Sequence, residues 1–285
     1  MSETNKTNKK KIGLVLGSGG IKCFAAISIL KFLKKNNIPI DLVVGCSGGS
    51  IVATMWGAGY SPEQIEENVS KLINKDLFKK VNYRSILSVL NFPYGKFDKT
   101  SGFYNPSRLQ KLYHSLYNDL KLEDLNPKIV LQTYDYVKRK GLILEEGLVA
   151  DAVYASGASY PIFPPIKINN KLLIDGACAS PLPVLEAVNR NMDVIIAVSF
   201  YEEPDPEPNG FLNALFHHTR GIFYNLTKSQ TAFAIDIHHH EIILIRITFD
   251  RMIKLWEIKE LPYILKTGEK IIEQKKEEIF NAINS

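Results

Sequence analysis

The apolar positions of the chain fall into short unbroken runs, separated by stretches whose apolar residues recur every three or four positions. Ile12 to Leu16 reads as a buried strand, Gly17-Ser18-Gly19-Gly20 as a loop, and Ile21 to Lys35 as a helix with Ala26, Ile29, Leu30 and Leu33 on one face. A second strand, Leu42 to Val44, runs into Gly45-Cys46-Ser47-Gly48-Gly49 and then into small and apolar residues of helical character. Two consecutive strand–turn–helix units predict a parallel sheet with right-handed crossovers. Further strands are predicted at Ile129 to Thr133, Leu142 to Leu144, Leu172 to Ile174, Val194 to Ser199 and Ile242 to Thr248. Strands alternate with helices throughout, so the fold class is α/β. Gly268 to Ile283 closes the chain as an amphipathic helix with Ile271, Ile272, Ile279 and Ile283 on its buried face. The proline-rich acidic stretch Glu202 to Pro208 reads as an exposed, stiff loop within a single domain.

Composition narrows the class. With 285 residues of which 45% are hydrophobic, the chain fits one large domain over residues 11–285 behind a basic, disordered tail at 1–10. The net charge of +5 is compatible with an anionic membrane surface or with nucleic acid and requires neither. Three cysteines without metal-ligand spacing argue against a disulfide framework or a zinc site and favour a reducing, cytoplasmic setting. Cys23, Cys46 and Cys178 read as small buried apolar residues. The basic start followed by an apolar run imitates a signal peptide, but glycines cut the run after Leu16, Lys22 follows, and no cleavage-like site appears. No apolar run reaches the roughly 20 residues needed to span a bilayer.

The chemistry begins at Ser47. A serine between Gly45 and Gly49, joining a strand to a helix, fits a nucleophile elbow: the glycines permit a tight turn that presents the hydroxyl above a helix N-terminus. Such a serine needs a proton acceptor and donors for the oxyanion formed when it attacks a carbonyl. Gly17, Gly19 and Gly20, at the end of the first strand, can supply backbone N–H donors. A nucleotide-binding loop is the rival reading, but Lys22 stands where the last glycine of G-x-G-x-x-G belongs and no acidic residue ends the second strand. For the base, six histidines (His114, His217, His218, His238, His239, His240) compete with Asp175, which ends the strand Lys171-Leu172-Leu173-Ile174 ahead of Gly176. The histidines have no local setting built for catalysis, whereas Asp175 stands at a strand's C-terminal end, at the rim where open α/β sheets place their sites.

Four blocks make a family resemblance specific: LVLGSGGIKCFAAISILKFL, GCSGGS, VYASGASYPIFPPI and LLIDGACASPLPV. In order and spacing, over about residues 12–200, they resemble the patatin-like phospholipases. The resemblance implies a three-layer α/β/α fold on a mainly parallel sheet, with a cap at about 61–125. It also implies a Ser–Asp dyad without a catalytic histidine, Ser47 and Asp175, and an oxyanion loop at Gly17, Gly19 and Gly20. Ser18 interrupts the family's glycine run and Cys23 replaces its last glycine. Asp175 must then be raised from its ordinary pKa of about 3.9 by desolvation to act as a base. Neither cofactor nor metal is expected, and lipid esters are the implied substrate.

Between Lys71 and Lys99 seven cations (Lys71, Lys75, Lys79, Lys80, Arg84, Lys96, Lys99) face two acids, with Phe78, Tyr83, Phe92, Tyr94 and Phe97 interleaved. Three readings stand in order: core aromatics with solvated lysines, a peripheral docking surface for anionic membrane, and, far behind, nucleic acid. Two rival classes accompany the esterase: a Ser-His-Asp α/β-hydrolase, and a non-enzymatic membrane or acyl-chain binding module, against which the presence of both Ser47 and Asp175 argues. The pattern sets no oligomeric state.

Overall fold

The computed structural model describes residues 10–72, 80–89, 92–96, 98–202, 208–255 and 257–284. The basic tail up to residue 9, residues 75, 76, 78, 79 and 97 of the cationic segment, and residues 203–207 of the acidic stretch lie outside the described residues. Among the described residues, eight strands form one sheet: β1 (Ile12–Leu16), β2 (Leu42–Cys46), β3 (Lys128–Asp135), β4 (Lys140–Leu144), β5 (Ile166–Ile168), β6 (Lys171–Asp175), β7 (Val194–Glu202) and β8 (Glu241–Phe249). The run β3-β2-β1-β7-β8 is parallel throughout, while β4, β5 and β6 join antiparallel.

The helices are α1 (Ala26–Lys35), α2 (Gly48–Gly57), α3 (Pro62–Leu72), α4 (Tyr83–Val89), α5 (Ser107–Tyr117), α6 (Val149–Gly157), α7 (Val184–Asn189), α8 (Phe211–Ile237) and α9 (Leu261–Asn284). The unbroken apolar runs of β1 and β2 follow from burial on both faces, as expected of a parallel sheet covered by helices. Successive residues divide between two cores: Leu14, Leu16, Ile196 and Val198 enter the larger with α1, α2 and α9, and Val15, Ile195 and Ala197 the smaller with α7 and Ala234 of α8. That alternation makes the molecule a three-layer α/β/α sandwich.

Several details depart from the sequence expectations. The helix expected from Ile21 begins as a 3₁₀ turn, Gly20–Ala25, before α1. The last helix starts earlier, at Leu261, because Pro262 falls in a first turn, where its missing N–H costs no helical hydrogen bond. Glu202 is not loop: β7 continues through it, and its carboxylate sits largely buried between Lys22 (2.9 Å) and Arg220 (3.6 Å). Ile65 and Val69 of α3 and Tyr113 and Tyr117 of α5 are core residues, so within 61–125 the described part that stands off the core centres on α4 and the loop after it. There Tyr83 is 71% exposed, Phe92 52% and Tyr94 92%, which overturns the core reading for these three rings.

One feature of the sheet places the site. Leu131 and Gln132 of β3 pair with β2 on one side and β4 on the other, while Thr133 to Asp135 pair with β6 and again β4. A strand has two edges, so β2 and β6 share one edge of β3 and run towards each other. Cys46 stops opposite Gln132 and Asp175 opposite Thr133. Asp175 therefore reaches the rim from above on an antiparallel strand, rather than emerging from the sheet as the parallel reading implied.

Candidate active site

The residue after Cys46 is Ser47, held at φ 52° and ψ −122°, a conformation that residues with a Cβ rarely adopt. Its surroundings hold it there. The Ser47 N–H donates to Ser156 Oγ (3.0 Å), and the Ser156 hydroxyl donates in turn to the Gln132 carbonyl (2.8 Å). The Ser47 carbonyl accepts from the N–H of Ser50 (2.9 Å) and from its hydroxyl (2.6 Å), closing the first turn of α2. Gly45 is the fourth residue of β2, and Gly48 and Gly49 open α2. Close approach explains the last two: a Cβ on Gly48 would collide with the Gly20 carbonyl, and one on Gly49 with that of Leu16. Ser47 thus stands at the N-terminus of a ten-residue helix, where partial positive charge favours a developing anion.

Asp175 meets it directly. The Ser47 hydroxyl donates to Asp175 Oδ2 at 2.8 Å, and the Ala177 N–H donates to Oδ1 at 2.9 Å. Burial pushes the Asp175 carboxyl up to about 6, against the pull of those two hydrogen bonds. Gly176 permits the arrangement, because a Cβ there would collide with the Gln132 carbonyl. Among the described residues neither Ser47 nor Asp175 bonds to a histidine. His114 pairs with Asp151 (3.1 Å), the His238 and His240 rings pack together at 5.6 Å, and His217 lines a groove beyond the glycine loop.

The glycine loop corrects part of the expected donor set. The Gly17 N–H donates to Val198 O (3.0 Å), extending the sheet, and the Ser18 N–H donates to Pro181 O (2.7 Å). Gly17 therefore anchors the loop instead of offering its amide. Among the described residues the N–H groups of Gly19, Gly20 and Gly48 donate to no protein acceptor. Cys23, where the family pattern has glycine, lies in the 3₁₀ turn, and its thiol donates to the Gly17 carbonyl at 3.2 Å, bracing the loop from behind. Cys23 and Cys46 are buried, and burial raises both thiols well above the ordinary range. Cys178 is exposed, contrary to expectation, because it ends the short turn after Asp175 on the outer rim. No cluster of three or more His, Cys, Asp or Glu side chains among the described residues is arranged to hold a metal.

The family model described as patatin-like phospholipase matches residues 14–188, taking in the glycine loop, the elbow and Asp175. The chain belongs to the patatin-like phospholipase family. Lysophospholipase NTE1 of Kluyveromyces lactis is 27% identical over 206 residues, covering 72% of this chain and 14% of the relative. An uncharacterised NTE family protein of Mycobacterium tuberculosis, Rv1063c, is 24% identical over 225 residues, covering 76% of this chain and 59% of the relative. The chain thus spans only a minor part of NTE1 and somewhat over half of the mycobacterial protein. Among solved structures, VipD from Legionella pneumophila superposes with a TM-score of 0.51 at 12% identity, covering 93% of this chain and 66% of that one. The shared fold is the patatin-like three-layer sandwich.

Within this patatin-like frame, sequence reasoning missed Ser156, although it lies in the VYASGASYP block. A small polar residue fully buried in the apolar face of α6 was the available signal. It also missed Gly48, whose N–H donates to no acceptor among the described residues, since the elbow was read through Gly45 and Gly49 alone.

Proposed function

We propose that this chain is a lipid acyl hydrolase of the lysophospholipase or phospholipase A type, working through Ser47 and Asp175. The observation that carries the reading is the 2.8 Å hydrogen bond from the Ser47 hydroxyl to a buried carboxylate whose pKa is pushed up to about 6. An aspartate raised that far is still ionised at neutral pH and is a stronger base than an ordinary one. As Ser47 Oγ attacks the ester carbonyl, its proton passes to Asp175, and the carbonyl oxygen gains charge against the N–H groups of Gly19, Gly20 and Gly48. Collapse of the tetrahedral intermediate expels the alcohol, which takes the proton from Asp175. Water, deprotonated by the same carboxylate, then attacks the acyl carbonyl, and Ser47 Oγ departs, taking that proton back from Asp175. Base and oxyanion donors are both supplied by the chain, so the reaction proceeds without calcium, and chelation should leave the rate unchanged.

The reading extends to a peripheral membrane role in the cytoplasm. Tyr83, Phe92 and Tyr94 project beside Lys80, Arg84, Lys96 and Lys99, a composition suited to an anionic lipid surface. No helix among the described residues is long and apolar enough to cross a membrane. The test is hydrolysis of a lysophospholipid and of a short-chain nitrophenyl ester by wild type, Ser47→Ala and Asp175→Asn, with fluorophosphonate labelling of the serine. Wild type turns over both substrates and labels at Ser47, and each variant loses at least about a thousandfold. Full turnover by either variant, or labelling of another serine, overturns the dyad. Loss of the same size on replacing any one histidine would restore the triad.

A further inference from the structure

The C-terminal third of the chain, beyond the residues 14–188 that match the family, builds a second wall beside the glycine loop. A groove of about 610 Å³ opens there, with Gly17 to Gly19 at one end, α8 along one side and the outer face of β7 and β8 as its floor. The floor is polar in a specific way. Ser199 pairs in register with Arg246, and Tyr201 with Thr248, so four polar side chains from two adjacent strands share one face. Neighbouring strands lie about 4.8 Å apart, which brings these side chains within reach of one small ligand. Among the described residues the hydroxyls of Ser199, Tyr201 and Thr248 have no hydrogen-bond partner in the protein and the Arg246 guanidinium has no carboxylate. Arg220 of α8 enters from the opposite wall. The Glu202 carboxylate, also at the groove, pairs with Lys22 (2.9 Å) and Arg220 (3.6 Å) and not with Arg246.

A guanidinium surrounded by uncommitted hydroxyls matches the donors that a tetrahedral phosphate takes up, and a guanidinium can bind such an anion through two parallel hydrogen bonds. The aromatic rings of Tyr201 and Tyr224, edge to face at 5.7 Å, add an apolar lip. The groove begins at Gly17 to Gly19 of the loop that would hold the oxyanion, so one substrate molecule can reach from the groove to the ester at Ser47. We propose that this groove is a phosphate subsite, in which Arg246, with Ser199, Tyr201 and Thr248, holds the phosphodiester of a lysophospholipid while its ester lies at Ser47. The assignment rests on the acyl hydrolase reading and adds to it the residues that recognise the phosphate of the substrate.

The test separates binding from turnover. Ser47→Ala protein is titrated by calorimetry with a short-chain lysophosphatidylcholine below its micellar concentration, with the monoacylglycerol of the same chain, and with glycerol phosphate alone. The lysophospholipid binds at least about tenfold tighter than the monoacylglycerol, Arg246→Gln removes that preference, and Arg246→Lys keeps part of it. Thr248→Val, which keeps the shape of the floor, lowers the preference less. Glycerol phosphate binds far more weakly than the lipid. In the enzyme with Ser47 intact, Arg246→Gln lowers the ratio of kcat/KM for lysophospholipid over monoacylglycerol by about tenfold. Equal affinity for the two lipids, or a preference that survives Arg246→Gln, overturns the subsite. Tight binding of glycerol phosphate alone overturns the lipid as its source. A wild type that hydrolyses no ester overturns the acyl hydrolase reading instead, and the titrations still decide whether phosphate binds.

Discussion

Replacing Asp175 by Asn should abolish turnover and at the same time stabilise the fold at neutral pH. The carboxyl rises from 3.8 to about 6 through desolvation, and each pKa unit corresponds to about 1.4 kcal/mol. The ionised native state therefore carries a penalty of about 3 kcal/mol, and with the residue only 8% exposed solvent does little to screen it. Below the unfolded value both states hold the proton and no penalty exists. Between pH 4 and pH 6 the native chain retains a proton that the unfolded chain has released, so wild-type stability falls as pH rises; above about 6 the full penalty remains. Asparagine has the same shape and no charge. Its carbonyl can accept from Ala177 N–H while its amide donates to Ser47 Oγ. The variant should match wild type near pH 4 and exceed it by up to about 3 kcal/mol at pH 8.

Urea unfolding of both proteins at intervals from pH 4 to pH 8 measures the gap directly. The kinetic counterpart is wild-type kcat/KM for a soluble ester, which should rise through about pH 6 and at pH 5 reach roughly a tenth of its plateau. A stability gap that is the same at pH 4 and pH 8, or a wild type more stable than the variant at pH 8, would refute the account of Asp175 as a base held at a stability cost.

Ser156→Ala leaves the Ser47 N–H without its acceptor beneath a strained residue, so stability should fall by about 1–3 kcal/mol and kcat for a soluble ester by about tenfold, with partial recovery in Ser156→Thr; unchanged kinetics would deny it a positioning role. An aromatic disulfide reagent should label Cys178 alone in the native protein, and Cys23 and Cys46 only after unfolding. Mass spectrometry of the labelled peptides checks this, and rapid native labelling of Cys46 would contradict its packing behind the elbow. Replacing Tyr83, Phe92 and Tyr94 together by Ser should weaken sedimentation with anionic vesicles at least about tenfold while soluble-ester turnover stays within about twofold; undiminished vesicle binding would place the docking surface elsewhere.

The strands were legible because both faces of β1 and β2 are covered, which leaves no polar position to interrupt the apolar run. Ser47 and Asp175 stood out because their neighbours are constrained: Gly48 and Gly176 each lie against a carbonyl where no side chain fits. What could not be read were relations between distant segments. Whether Gly17 has a free amide depends on β7, whose Val198 carbonyl takes it, and nothing within the loop reveals that pairing. The exposure of Tyr83 and Tyr94 was equally hidden, since the same aromatic and basic composition serves a helical core or a lipid-facing surface. The phosphate groove arises from the register of β7 on β8, and Ser199 and Arg246 carry no motif that joins them.

The direction of β6 has the largest consequence. Because β2 ascends and β6 descends along the same edge of β3, the distance between Ser47 and Asp175, the proposed nucleophile and base, is set by backbone pairing rather than by loops. The Gln132 carbonyl is the shared point: Ser156, which holds the Ser47 amide, donates to it, and Gly176 passes directly over it. A two-residue slip of β6 along β3 would move Asp175 by about 7 Å, which is more than twice the length of the hydrogen bond it must make. β4, pairing with Leu131 to Asp135 on the opposite edge, braces β3 at the level where the two strands meet. Hydrogen-bonded strands hold such geometry more firmly than surface loops do, which suits the proposed Ser47–Asp175 centre, where among the described residues no histidine bonds to either member.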